Sequence, residues 1–66
     1  MTVRVNGEDR ELADGTTLTQ LLEQLGLVVE GVAVALNLYV VPRGELGTTS
    51  LSEGDRVEIV RAVGGG

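Results

Sequence analysis

From its first residues the chain alternates: Thr2, Arg4 and Asn6 are polar and Val3 and Val5 between them apolar, the period of a half-buried strand. Asn6-Gly7 is the strongest two-residue signal for a type I′ hairpin, so the chain is expected to reverse there. It returns through Glu8-Asp9-Arg10-Glu11-Leu12, a weak and highly charged strand. Such a strand suits a sheet edge, where charge discourages pairing with other molecules, and Leu12 marks its dip into the core.

The period then changes from two to 3.6. After the Asp14-Gly15 turn, Thr17-Leu18-Thr19-Gln20 has the spacing of a capping box. Leu18, Leu21, Leu22 and Leu25 follow at i, i+3, i+4 and i+7, one apolar stripe, and Gly26 stands where a left-handed C-terminal cap is wanted. The spacing predicts a helix over 18–25 lying on a sheet. Two turns are too few to stand alone as a coiled-coil seam, so the stripe is assigned to core packing.

Past a connection over 27–31, Val32-Ala33-Val34-Ala35-Leu36 returns to period two. Val32, Val34 and Leu36 are assigned to the face under the helix. Ala33 and Ala35 leave the other face shallow and apolar, either because it is merely small or because something docks there. Asn37-Leu38 permits a tight turn into Tyr39-Val40-Val41, a short strand that Pro42 must end or confine to an edge. Residues 43–47 form a loop or single helical turn, and Thr48-Thr49-Ser50-Leu51 is irregular with Leu51 as its anchor. Ser52-Glu53-Gly54-Asp55 makes the turn before the last strand, Asp55 bonding turn amides. That strand, Val57-Glu58-Ile59-Val60-Arg61-Ala62-Val63, puts Val57 and Ile59 in the core and Glu58 and Val60 on the other face. Val60, Ala33, Ala35 and Val63 are candidates for one exposed apolar patch.

The order predicts an α+β fold, a mixed sheet of four or five strands with one main helix across one face. Composition narrows what such a domain does. With 66 residues there is one small domain, of a size that buries only about 60% of its unfolded surface. Hydrophobic residues make up 42% of the chain, enough for a packed globule, and the absence of Cys excludes disulfides and thiolate metal sites. A net charge of −5, with every positive charge an Arg, makes nucleic acid and anionic membrane poor partners. No apolar run approaches the ~20 residues of a membrane span and no signal pattern opens the chain, which predicts a cytoplasmic protein. Without His, Cys or Lys, the usual general base, thiol nucleophile and Schiff-base amine are missing, and no two carboxylates are placed as a hydrolase would need. Self-contained catalysis is not expected.

What remains is Gly64-Gly65-Gly66, which follows the last strand. On composition alone it is either a frayed end or a slender segment able to enter a slot closed to side chains. The expected division is therefore a domain over 1–63 and a flexible glycine tail over 64–66.

The Asn6-Gly7 hairpin, Thr17-Leu18-Thr19-Gln20-Leu21-Leu22, Ala35-Leu36-Asn37 with Val41-Pro42-Arg43, Glu53-Gly54-Asp55-Arg56-Val57-Glu58-Ile59 and the glycine end together resemble the ubiquitin-like β-grasp fold. Within it the chain is similar to the thiamin sulfur-carrier family, ThiS. The resemblance covers essentially the whole chain; its most specific part is the Asn to Val-Pro-Arg spacing joined to a terminal Gly-Gly. It implies that an activating enzyme uses ATP to adenylate the carboxylate of Gly66, that sulfur replaces the adenylate to give a thiocarboxylate, and that thiazole synthase takes the sulfur into the thiazole ring. Gly66 would then be the covalent carrier and Gly65 and Gly64 the lead-in that threads the partner's active site. This chain would bind no cofactor or metal of its own, act as a carrier rather than an enzyme, and be a monomer when free. Asn37, Pro42 and Arg43 match the family pattern but are assigned to turn and strand-end roles. The nearest rival is the small subunit of molybdopterin synthase, usually longer and without the Val-Pro-Arg element. A ubiquitin-type protein modifier and a plain β-grasp interaction module stand behind it.

Overall fold

The computed structural model describes residues 1–61. Five strands form one mixed sheet: β1 (Thr2–Val5), β2 (Glu8–Glu11), β3 (Val32–Leu36), β4 (Tyr39–Val41) and β5 (Arg56–Arg61), in the spatial order β2-β1-β5-β3-β4. β1 and β5 run parallel and the other neighbours antiparallel. One helix, α1 (Leu18–Gln24), follows the first hairpin and contributes three fully buried leucines to the core. This is the α+β arrangement the pattern predicts and the ubiquitin-like β-grasp that the resemblance implies, with the sheet at five strands.

The hydrophobic alternation decides what each strand buries. Val3 and Val5 of β1, Val34 of β3 and Val57 of β5 are buried, and with Leu18, Leu21 and Leu22 of α1 they join one core cluster. Val32, Leu36, Val41 and Ile59 pack against it, partly buried. Both sheet edges match their sequences. All four residues of β2 are exposed, leaving Leu12 to dip inward, and β4 lies at the opposite edge, stopped by Pro42.

α1 is too short to persist alone and is held by its ends. At the N-terminus the Gln20 amide donates to the Thr17 hydroxyl at 3.2 Å and the Thr17 amide donates back to the Gln20 side chain at 2.9 Å, the capping box read from the sequence. The remaining first-turn amides find partners outside the helix: Leu18 donates to the Thr49 carbonyl at 3.1 Å and Thr19 to that of Leu46 at 3.2 Å. At the C-terminus Gly26 adopts φ +74°. Its amide donates to the Glu23 carbonyl, and the Leu27 amide donates to that of Leu22 at 2.9 Å, closing a Schellman motif that only a residue tolerant of positive φ can make comfortably.

Three features add detail that the pattern does not give. The connection over 27–31 contains a single 3-10 turn, Val29–Gly31, whose Val29 packs on the core. The 43–47 segment also holds a 3-10 turn, Arg43–Glu45, and the residue after it, Leu46, is only 3% exposed, a core anchor that the sequence did not single out. Thr16 is buried too, its hydroxyl donating to the Ala13 carbonyl. The end of the last strand over 62–63, Val63 as part of the patch, and the 63/64 boundary of the tail lie outside the described residues.

Because Leu46 sits under the helix start while its own carbonyl receives the Thr19 amide, the long connection is part of the core assembly rather than a loose loop. Leu46→Ala is therefore expected to cost about 2–5 kcal/mol in urea unfolding. A change close to zero would show that this segment does not anchor the helix.

Candidate functional site

Strand pairing sorts the exposed residues onto one face. Ala33 stands opposite Val60, Ala35 opposite Glu58, and Ala35 also opposite Val40 across the other edge of β3. Paired residues on neighbouring strands point to the same side. Ala33, Ala35 and Val60 therefore share the face turned away from α1, as the alternation predicted, and Val40 extends it. Val60 is 63% exposed and Val40 76%.

Together with Leu38 from the β3–β4 turn and Glu58, these side chains line a shallow open recess of about 300 Å³. Its floor is the two alanines and its walls are branched apolar side chains. Contiguous exposed apolar surface of this kind, with a carboxylate at its margin, is suited to burying against another protein rather than to binding a small molecule, for which it is too open. The same face changes character toward β2, where Arg4 pairs with Asp9 at 3.2 Å and Thr2 hydrogen-bonds Glu11. One sheet surface thus carries an ionic half and an apolar half.

Leu38 was read from the sequence only as a turn residue. It is 74% exposed and holds φ +76°, following Asn37 at φ +50°. These are the signs of a type I′ turn, whose second central position favours glycine, so a leucine there is strained. The turn that connects β3 to β4 thereby presents a large apolar side chain at the rim of the recess.

Asn37 is explained by the fold itself. Its amide donates to the Arg56 carbonyl at 2.8 Å, its Oδ1 accepts from the Arg56 amide at 2.9 Å, and its Nδ2 donates to Asp55 Oδ1 at 3.1 Å. Asp55 in turn accepts the Ser52 amide at 2.7 Å, the turn role expected of it. Pro42 ends β4, and the Arg43 guanidinium donates to the Glu30 carbonyl at 3.4 Å. The three residues that match the family pattern thus serve turns and strand ends.

A second and larger recess, about 570 Å³, runs past Asp14, Thr16, Gln20 and Glu23 at the start of α1. It brings the Asp14 and Glu23 carboxylates to an open groove, and the Thr16 hydroxyl there already donates to the Ala13 carbonyl. Among the described residues no group of three or more His, Cys, Asp or Glu is placed to hold a metal, and no helix is long and apolar enough to cross a membrane. Gly64, Gly65 and Gly66 lie outside the described residues.

Comparison with known proteins follows the same outline. The model of the ThiS family matches residues 3–66. A thiazole synthase of Magnetococcus marinus is 46% identical over 66 residues, covering all of this chain but 20% of that protein, so the chain spans about a fifth of the length of such relatives. The sulfur carrier protein ThiS of Thermus thermophilus is 42% identical over 64 residues, covering 97% of this chain and 98% of that one. Among solved structures, the thiamine biosynthesis protein ThiS of Geobacter metallireducens superposes with a TM-score of 0.85 at 35% identity over the full length of both chains.

The strained turn gives a test independent of any partner. Leu38→Gly is expected to raise stability by about 1 kcal/mol, the relief of positive-φ strain exceeding the entropy that glycine adds to the unfolded chain. Chemical denaturation checks it, and a less stable variant would mean that the side chain packs more than its exposure indicates.

Proposed function

The chain belongs to the ThiS family, and from that premise we propose that it is a sulfur carrier for thiazole formation in thiamin biosynthesis, with Gly66 as the residue that bears the sulfur. The observation that carries this reading is that the family match runs through residue 66 and so takes in Gly64-Gly65-Gly66. The composition agrees with it, since a chain without Cys cannot carry sulfur as its own persulfide.

The chemistry requires two displacements. A resting carboxylate is a poor electrophile, so an oxygen of the Gly66 carboxylate first attacks the α-phosphorus of ATP on the activating enzyme, and pyrophosphate leaves. A sulfide-level nucleophile then attacks the acyl carbon and AMP departs, leaving the thiocarboxylate. Gly64 and Gly65 supply a lead-in without side chains, able to enter a narrow active site. Thiazole synthase is the acceptor, a pairing supported by the thiazole synthases that include a segment similar to this chain. This protein contributes no catalytic group; ATP binds to the activating partner.

The domain's part is to be recognised. The helix-free face around Ala33, Ala35 and Val60, widened by Leu38 and Val40, is the docking surface in this reading, with Val63 assigned to its margin from the sequence. A protein of net charge −5 is steered toward a basic partner surface, and the recess then buries apolar area once contact is made.

Intact-mass spectrometry of the protein ending at Gly66, after incubation with ATP, a sulfur source and the cognate activating enzyme, should show one oxygen exchanged for sulfur, and removal of Gly66 should abolish the exchange with the fold intact. An unchanged mass sinks the carrier reading, while ladders on other proteins would indicate a modifier. Val60→Glu should leave unfolding within about 0.5 kcal/mol of the parent, because the side chain is mostly exposed, yet weaken loading about fivefold or more. Undiminished loading would remove this face from the docking surface.

A further inference from the structure

The first hairpin contains a residue that does more than turn the chain. Val5 and Val57 are the last register pair between β1 and β5, because β1 reverses at Asn6-Gly7. The Asn6 amide still donates to the Val57 carbonyl at 2.9 Å. In a parallel ladder the next β5 residue whose N–H and C=O point toward β1 is Ile59. Both of its groups are met by the side chain of Asn6: the Ile59 amide donates to Oδ1 at 2.8 Å, and Nδ2 donates to the Ile59 carbonyl at 3.2 Å. The orientation of the carboxamide is forced, since an N–H needs an acceptor and a C=O needs a donor.

The turn alone does not ask for this. Asn6 holds φ +50° and Gly7 φ +84°, and Asp or Gly would satisfy the first position of a type I′ turn as well. Neither can exchange both hydrogen bonds with Ile59. We infer that Asn6 is a positioning residue for the C-terminal tail: its carboxamide acts as a detached peptide unit of β1, holding β5 on that side up to Ile59. The inference rests on the carrier reading above.

Beyond Ile59 the strand is held from the β3 side, where Val32 stands opposite Arg61. Ile59 is the last β5 residue fixed on both edges, by Asn6 on one side and by β3 on the other. Freeing Ile59 from Asn6 leaves β5 beyond Val57 held along its β3 edge alone, so the end of the strand is less firmly placed when a partner takes up the residues that follow it. Both hydrogen bonds are solvent-exposed, and their loss sends the Ile59 groups to water rather than leaving them buried and unpaired. The consequence is therefore local. It falls on the tail's root and on productive binding, with little effect on the core.

Two variants of the full chain test this. Asn6→Gly keeps the turn and removes both bonds; Asn6→Asp keeps the turn and the acceptor for the Ile59 amide. Amide hydrogen exchange read by NMR should rise about tenfold at Ile59 in Asn6→Gly and stay unchanged at Val57, with Asn6→Asp between it and the parent. Steady-state adenylation by the cognate activating enzyme, followed by pyrophosphate release, should show KM for the carrier raised about three- to tenfold in Asn6→Gly and kcat within about twofold of the parent. Unaltered exchange at Ile59 overturns the clamp. Raised exchange with an unshifted KM overturns the positioning role while leaving the carrier reading intact. If the parent protein itself releases no pyrophosphate, the carrier reading fails and takes the positioning role with it.

Discussion

β5 is the strand on which the rest of the molecule depends, because it lies in the middle of the sheet and must hydrogen-bond along both edges. Its neighbours make that difficult. β1 runs parallel to it for two register pairs and then turns back at Asn6, and β3 runs antiparallel and turns away at Asn37. Each departure would leave a β5 backbone group unpaired. In both places an asparagine at φ +50° starts the turn and directs its carboxamide at β5, to Ile59 on one side and Arg56 on the other. Asparagine tolerates the left-handed backbone of a tight turn and carries a side chain with the donor and acceptor of a peptide group. One residue type thus resolves two requirements, and the two hairpins are tied to the central strand by the residues that make them turn.

The helix side shows the same economy. α1 is seven residues long, and its first-turn amides are satisfied partly by Thr17 and partly by the carbonyls of Leu46 and Thr49. The chain between β4 and β5 therefore caps the helix while Leu46 and Leu51 fill the core beneath it. In a domain this small no element has enough local stability to persist by itself, and each is completed by a segment distant in sequence.

That interdependence explains which features were legible in the sequence. The alternation in β1, β3 and β5, the leucine stripe, the capping box and the Gly26 stop are local signals, and each predicted its element and buried face. The charge of β2 and the proline after β4 marked the two edges for equally local reasons. Leu46 was not legible, because a lone leucine between Gly44 and Gly47 has no period to reveal its direction, and the helix start it supports lies far away in sequence. Asn6 and Asn37 were read as turn residues, which they are, but a carboxamide's second partner depends on strand order and register. For the candidate site, Ala33, Ala35 and Val60 were placed on one face by parity alone. Leu38 and Val40 joined them only once β4 was seen to pair with β3, since a turn residue has no parity to read.

The alternation also separates folding from recognition within single strands. On β5, Val57 and Ile59 face the helix while Glu58 and Val60 face away; on β3, Val34 faces the core and Ala33 and Ala35 the open side. A substitution at Val60 or Ala33 meets solvent, so it alters the surface offered to a partner without opening a cavity. The strained turn at Leu38 sits at the junction of the two requirements, because its backbone closes the β3–β4 hairpin while its side chain extends the apolar face. A glycine would suit the backbone better, so the turn carries its leucine at a cost in folding stability that packing, with the side chain 74% exposed, does not offset.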